Sequence, residues 1–167
     1  MKLKFRLPVI ILASVAIFVV HTSFYEERYE YIPIFMERSE LEKSVSYQAA
    51  GRELIQPGKI YHKAPYIYVN EKYKGVHIID NSTPSNPQNV GFIVAPGCID
   101  MAVKGNIMYL DNAVDLVAFD LANKKVTKRI AGIFPEPVSP NTFYYYNIES
   151  RPDNFVLVGW KKNPIKN

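Results

Sequence analysis

The sequence predicts an all-β fold built from two blade-like repeats, and three observations carry that expectation. The first is a duplication. Ile60-Tyr61-His62-Lys63-Ala64-Pro65-Tyr66-Ile67-Tyr68-Val69-Asn70 aligns with Met101-Ala102-Val103-Lys104-Gly105-Asn106-Ile107-Met108-Tyr109-Leu110-Asp111 at an offset of 41 residues. The second is that each copy runs on into an apolar stretch closed by an aspartate, Val76–Asp80 in one and Leu116–Asp120 in the other. The third is composition: 12 tyrosines and 9 phenylalanines favour strands over helices. A period of about 40 residues made of short strands is that of a four-stranded propeller blade. The expected architecture is therefore two antiparallel four-stranded units forming a partial β-propeller, preceded by an N-terminal membrane helix and one short helix.

Residues 1–23 read as a signal peptide or membrane anchor. Lys2, Lys4 and Arg6 precede Leu7–Val20, which carries no charge. That apolar length suits a signal core, while an uncleaved anchor would draw on the residues up to Tyr25. The positive end marks the cytoplasmic side, which places the rest of the chain outside that membrane. Residues 24–57 are expected to form an extended tether, with alternating aromatic and charged residues, followed by a short helix. Ser39-Glu40-Leu41-Glu42 has the form of a capping box and predicts a helix from about Glu40 to Tyr47.

Residues 58–134 hold the two repeats. Strands are expected near Lys59–His62, Tyr66–Asn70, Val76–Asp80 and Asn89–Ala95, then near Asp100–Lys104, Asn106–Leu110, Val114–Asp120 and Lys125–Ile130. Val76–Asp80 is apolar on both faces, as a strand covered from both sides must be. Turn chemistry separates the strands: Gly105-Asn106 suits positive φ, and the prolines of 81–87 fix the connection after Asp80. Residues 135–167 form a Pro- and Tyr-rich loop followed by a partial third repeat, with a strand over Asn154–Trp160. A loop that long is uncommon in a compact domain.

Charge narrows the function classes. The net charge is +4, but three of the positive charges belong to the N-terminal segment. Beyond residue 23 the basic and acidic residues nearly balance, so no basic stripe is left for nucleic acid. Cys98 is the single cysteine, which excludes an intrachain disulfide, and its apolar surroundings predict a buried thiol. His62 and His77 have no ligand partner at metal spacing, and Asp100, Asp111 and Asp115 lack calcium-loop spacing. No catalytic residue, cofactor or metal is expected, because none of the nucleophile, phosphate-loop or zinc signatures is present. Asp80 and Asp120 hold equivalent positions and are expected to cap the turns after their strands. Tyr144, Tyr145, Tyr146 and Trp160 are the candidate binding residues, since tyrosine and tryptophan offer large contact area with a polar handle.

The chain resembles the LVIVD-repeat family of exported bacterial β-propeller proteins. The segments that carry the likeness are Gly58–Tyr61, Tyr68–Glu71, Lys74–Pro84 and Asp100–Asn106, with Val76–Asp80 and Leu116–Asp120 matching the naming motif. The resemblance implies an envelope or surface protein without enzymatic activity. The expected function is non-catalytic binding of a protein or glycan, by an exported protein that is membrane-anchored, periplasmic or on the cell surface. Open sheet edges also predict self-association. The alternatives are a propeller-based hydrolase or lyase, and a truncated fragment of a longer propeller protein.

Overall fold

In the second repeat, inward-facing positions along Asp115–Asp120 alternate with half-covered ones, as a strand with one face in the core requires. The pattern recurs along the chain. In a computed structural model, which describes residues 29–140 and 151–164, it yields eleven strands and one short helix. Residues Tyr31–Lys162 form one compact unit apart from the chain ends. The signal or anchor segment 1–23, the first residues of the expected tether and Tyr144–Tyr146 lie outside the described residues. Among the described residues, no helix is long and apolar enough to cross a membrane.

The first of the expected repeats spans β3 (Pro57–Lys63), β4 (Tyr66–Glu71), β5 (Gly75–Asp80) and β6 (Gln88–Val94). The second folds as β7 (Met101–Lys104), β8 (Ile107–Asn112), β9 (Asp115–Asp120) and β10 (Lys125–Ile130). Both are antiparallel meanders with matching details. Lys63 pairs with Tyr66 and Lys104 with Ile107, so each first hairpin closes with two residues. Each outermost repeat strand carries one irregularity, at Val90 in β6 and at Thr127 in β10. The first sheet gains a fifth strand, β2 (Ser46–Gln48), beside β6.

The two sheets share one core. The first sheet contributes Tyr68, Val76 and Ile93 to the main core, and the second contributes Met108, Leu110, Val117 and Phe119. Val76, Ile93, Met108 and Val117 are fully buried, which stabilises the fold by about 1.5–3 kcal/mol for each large apolar side chain. Polar links reinforce the stack. The Tyr61 hydroxyl donates to the Val103 carbonyl at 2.9 Å, and Lys59 Nζ meets the Asp100 carboxylate at 2.5 Å.

Three expectations for the flanks are corrected. The helix is α1 (Arg38–Lys43), shorter than expected, and Ser46–Gln48 is a strand. Ser39 does not cap it: the N-cap is Glu37 in extended backbone, and the Ser39 hydroxyl donates to the Glu37 carboxylate at 2.9 Å. The end of the expected tether is strand β1 (Tyr29–Glu37), which pairs with β11 (Phe155–Pro164). The partial third repeat is thus half of a two-stranded sheet closed by an early strand of the chain. Fully buried Leu41 packs with Ala113 and Val158 and joins α1 and β11 to the second sheet.

Candidate binding cleft between the sheets

Because both repeats run in the same sense, the turns β3–β4 and β7–β8 come to the same end of the stack. A cleft of about 560 Å³ opens there, bounded by Tyr47, Tyr66 and Tyr68 from the first sheet and by Asn106 and Lys124 from the second. Tyr66 and Tyr68 share a face of β4, and their ring centroids lie 6.3 Å apart at 43°. Tyr66 is part-exposed, whereas the Tyr68 ring is buried. Burial, and then the neighbouring Tyr66, push the Tyr68 phenol above its ordinary pKa, so it stays a neutral hydroxyl.

Two lysines edge the cleft. Lys124 has φ of 54°, and its ammonium lies 4.4 Å from the centroid of the Tyr47 ring. Lys63 reaches across the cleft and donates to the Gly105 carbonyl. Asp80 is also on the lining. Its carboxylate accepts the Ser82 amide at 2.8 Å and the Ser82 hydroxyl at 2.6 Å, which hold it below its ordinary pKa. Asp120 forms the equivalent turn with the amides of Ala122 at 2.8 Å and Asn123 at 3.0 Å. Both aspartates order loops at the mouth.

The remaining sequence candidates are placed elsewhere. Trp160 is buried, and its indole N–H donates to the Pro137 carbonyl at 3.0 Å, so most of its ring is packed inside the protein, away from this cleft. Cys98 is fully buried, and burial pushes its thiol well above the ordinary value. His62 is exposed on β3. Asp100, Asp111 and Asp115 each have a separate partner: Lys59, the Ile99 and Asp100 amides, and a pair of arginines. Among the described residues no group of three or more metal-ligating side chains comes together.

Sequence reasoning missed one polar cluster. His77 is fully buried with its Nε2 3.4 Å from the Glu71 carboxylate, and its Nδ1 is 3.1 Å from the Asn89 amide nitrogen. Glu71 also accepts the amides of Ile55 at 3.1 Å and Gln56 at 2.8 Å. Burial lowers the His77 pKa against the opposing pull of Glu71. The Arg52 guanidinium covers the adjacent Phe92 ring at 4.4 Å. This cluster fastens residues 52–56 over the face of the first sheet opposite the main core and encloses the imidazole. His77 lies on the face of β5 opposite Val76, and its partners come from separate segments, which no linear spacing shows.

Fold and cleft together define the class: an all-β protein of stacked antiparallel sheets with an aromatic cleft at one end. No family model matches the chain, and no curated protein or solved structure matches it either.

Proposed function

We propose that this chain is a non-catalytic protein of the cell envelope, held at a membrane by its N-terminal segment, and that it binds a glycan in the cleft between its sheets. The observation that carries the reading is the lining. Three tyrosines, two ammonium groups, a carboxylate and the Asn106 amide converge on a concavity of about 560 Å³. Sugar recognition calls for flat apolar faces beside fixed donors and acceptors, and ligand sites in general combine a concave surface with a few placed polar groups. The cleft suits an extended or ring-shaped polar ligand better than the broad face of a folded protein.

The lining supplies no acid–base pair. Lys63 and Asp80 are engaged with Gly105 and Ser82, and the one imidazole in contact with a carboxylate among the described residues is sealed inside the first sheet. The function proposed is therefore recognition without bond-making chemistry. The N-terminal charge pattern supports the envelope location, and the likeness to the LVIVD-repeat family supports both parts of the reading.

The test is binding of the purified full chain, in detergent, to a panel of envelope polysaccharides and their oligosaccharides. Tyr66→Ala removes the most exposed ring and is expected to weaken binding on the order of tenfold, with the circular dichroism unchanged. Absence of binding across the panel, or unchanged affinity in Tyr66→Ala, would overturn the proposal.

A further inference from the structure

A second cleft, of about 420 Å³, lies where β1 and β11 meet the β4–β5 turn. Its chemistry differs from that of the first. Lys72, Lys74 and Lys161 line it, together with Lys162, which has an interaction of its own, and no acidic side chain does among the described residues. Two apolar side chains stand beside these cations: Ile55 is 62% exposed and Ile34 is 43% exposed. The Lys72 ammonium lies 5.3 Å from the Tyr73 ring centroid. Lys74 lies 3.6 Å from Glu71, whose carboxylate is already held by two backbone amides, and half of the Lys74 side chain remains in solvent.

Gly159 of β11 lies so close to the Tyr73 ring that a Cβ there would come within 2.7 Å of it. This contact brings the strand bearing Lys161 and Lys162 against the turn bearing Lys72 and Lys74. Exposed aliphatic residues surrounded by lysines make the pattern of an interfacial surface. The aliphatic groups enter the headgroup boundary while the ammonium groups meet phosphates.

The chain outside the structure indicates which surface this is. The apolar segment ends at Val20, and β1 begins at Tyr29. The intervening residues span at most roughly 30 Å when fully extended. A membrane-anchored chain therefore keeps β1 near the bilayer, where a cationic face meets whatever charge the headgroups carry.

We propose that this lysine-rich cleft docks on the headgroups of anionic phospholipids, in the same membrane that holds the N-terminal segment. The inference rests on the anchoring part of the proposed function and is independent of glycan binding. Docking of this kind orients the first cleft relative to the membrane and holds the two sheets at a fixed height above it.

The test uses Trp160, the single tryptophan, which lines the lysine-rich cleft. The full chain is reconstituted into vesicles of phosphatidylcholine alone, or of phosphatidylcholine with phosphatidylglycerol, each containing a dansyl-labelled lipid. Energy transfer from Trp160 to dansyl is expected to rise when phosphatidylglycerol is present. The rise should be lost at 1 M salt, where screening is about 3 Å, and in the double variant Lys72→Gln, Lys161→Gln. Flotation reads the anchor separately. Equal transfer in the two lipid mixtures, from protein that floats with both, would overturn the docking alone. Failure to float with neutral vesicles would overturn the anchor and the docking with it.

Discussion

Removing the Asp115 carboxylate is the perturbation with the largest expected effect on stability. Asp115 opens β9 with no exposed side-chain surface, yet its surroundings favour the ionised carboxylate. It accepts two hydrogen bonds from Arg38, at 2.8 and 2.7 Å, one from Arg129 at 2.7 Å and one from the Gly132 amide at 3.1 Å. Arg129 also donates to the Leu41 and Glu42 carbonyls, at 3.2 and 3.3 Å, near the C-terminal end of α1. One carboxylate thus ties the helix, the second sheet and the strand β10 together. Asp115→Ala leaves two guanidinium groups facing each other in a largely buried site. Breaking a buried ion pair by deleting one partner costs about 3–5 kcal/mol. At about 2–4 °C per kcal/mol for a chain of this size, the melting temperature should fall by roughly 6–20 °C. Arg38→Ala should cost less, because Arg129 remains and the Arg38 side chain is 28% exposed. Thermal unfolding of the full chain in detergent, followed by circular dichroism, measures both. The pH dependence is a second reading. Burial alone would raise the Asp115 carboxyl, but the hydrogen bonds from Arg38 and Arg129 hold it below its ordinary 3.8. Its stabilisation is therefore present above 3.8 and lost as pH falls through the lower folded value, so wild type and variant should converge in acid. An Asp115→Ala protein that melts within about 2 °C of wild type would refute the reasoning.

Two further outcomes follow from the first sheet. Burial depresses the His77 pKa below 6.5, so below that value the unfolded chain takes up a proton that the folded chain refuses. Stability should fall as pH drops from 6.5 toward the folded value, and His77→Gln should flatten this limb in melting curves collected across the range. An unchanged limb would assign it to other groups. Gly75 has φ of 144°, and a Cβ there would lie 1.9 Å from the Ile93 carbonyl oxygen. Gly75→Ala should therefore destabilise by more than about 1 kcal/mol in denaturant titration, whereas an isostable variant would show that β5 and β6 can separate at little cost.

The strands of the two repeats were legible because period-2 patterning and turn chemistry are local. Gly105 adopts φ of 56°, as its place in a hairpin dipeptide predicts, and the aspartates at 80 and 120 sit where an Asx turn needs them. The flanks were harder to read for three physical reasons. Ser46–Gln48 is too short to show alternation, and only its pairing with β6 makes it a strand. Residues 29–37 do alternate, but their partner β11 lies more than a hundred residues away, so they read as a tether. The Ser39 motif competes with the Glu37 carboxylate, which captures the hydroxyl that a capping box would direct at the backbone.

The candidate site was less legible than the fold. Tyrosine runs drew attention to Tyr144–Tyr146 and Trp160, yet the cleft draws its tyrosines singly from β2 and β4. Tyr47, Tyr66 and Lys124 are brought together by the stacking of the two repeats, and no linear spacing encodes that. The same holds for Asp115, which meets Arg38 across 77 residues of chain.

The central claim is that the two repeats stack face to face as one body and thereby form the cleft. Zero-length carbodiimide cross-linking of the folded full chain, followed by peptide mass spectrometry, tests it most directly. Lys59 Nζ and the Asp100 carboxylate lie 2.5 Å apart across the two sheets, so an amide should form between these residues in the folded protein and disappear in denaturant. Cross-links that join residues only within each repeat, with none between Lys59 and Asp100, would contradict the stack and the cleft that depends on it.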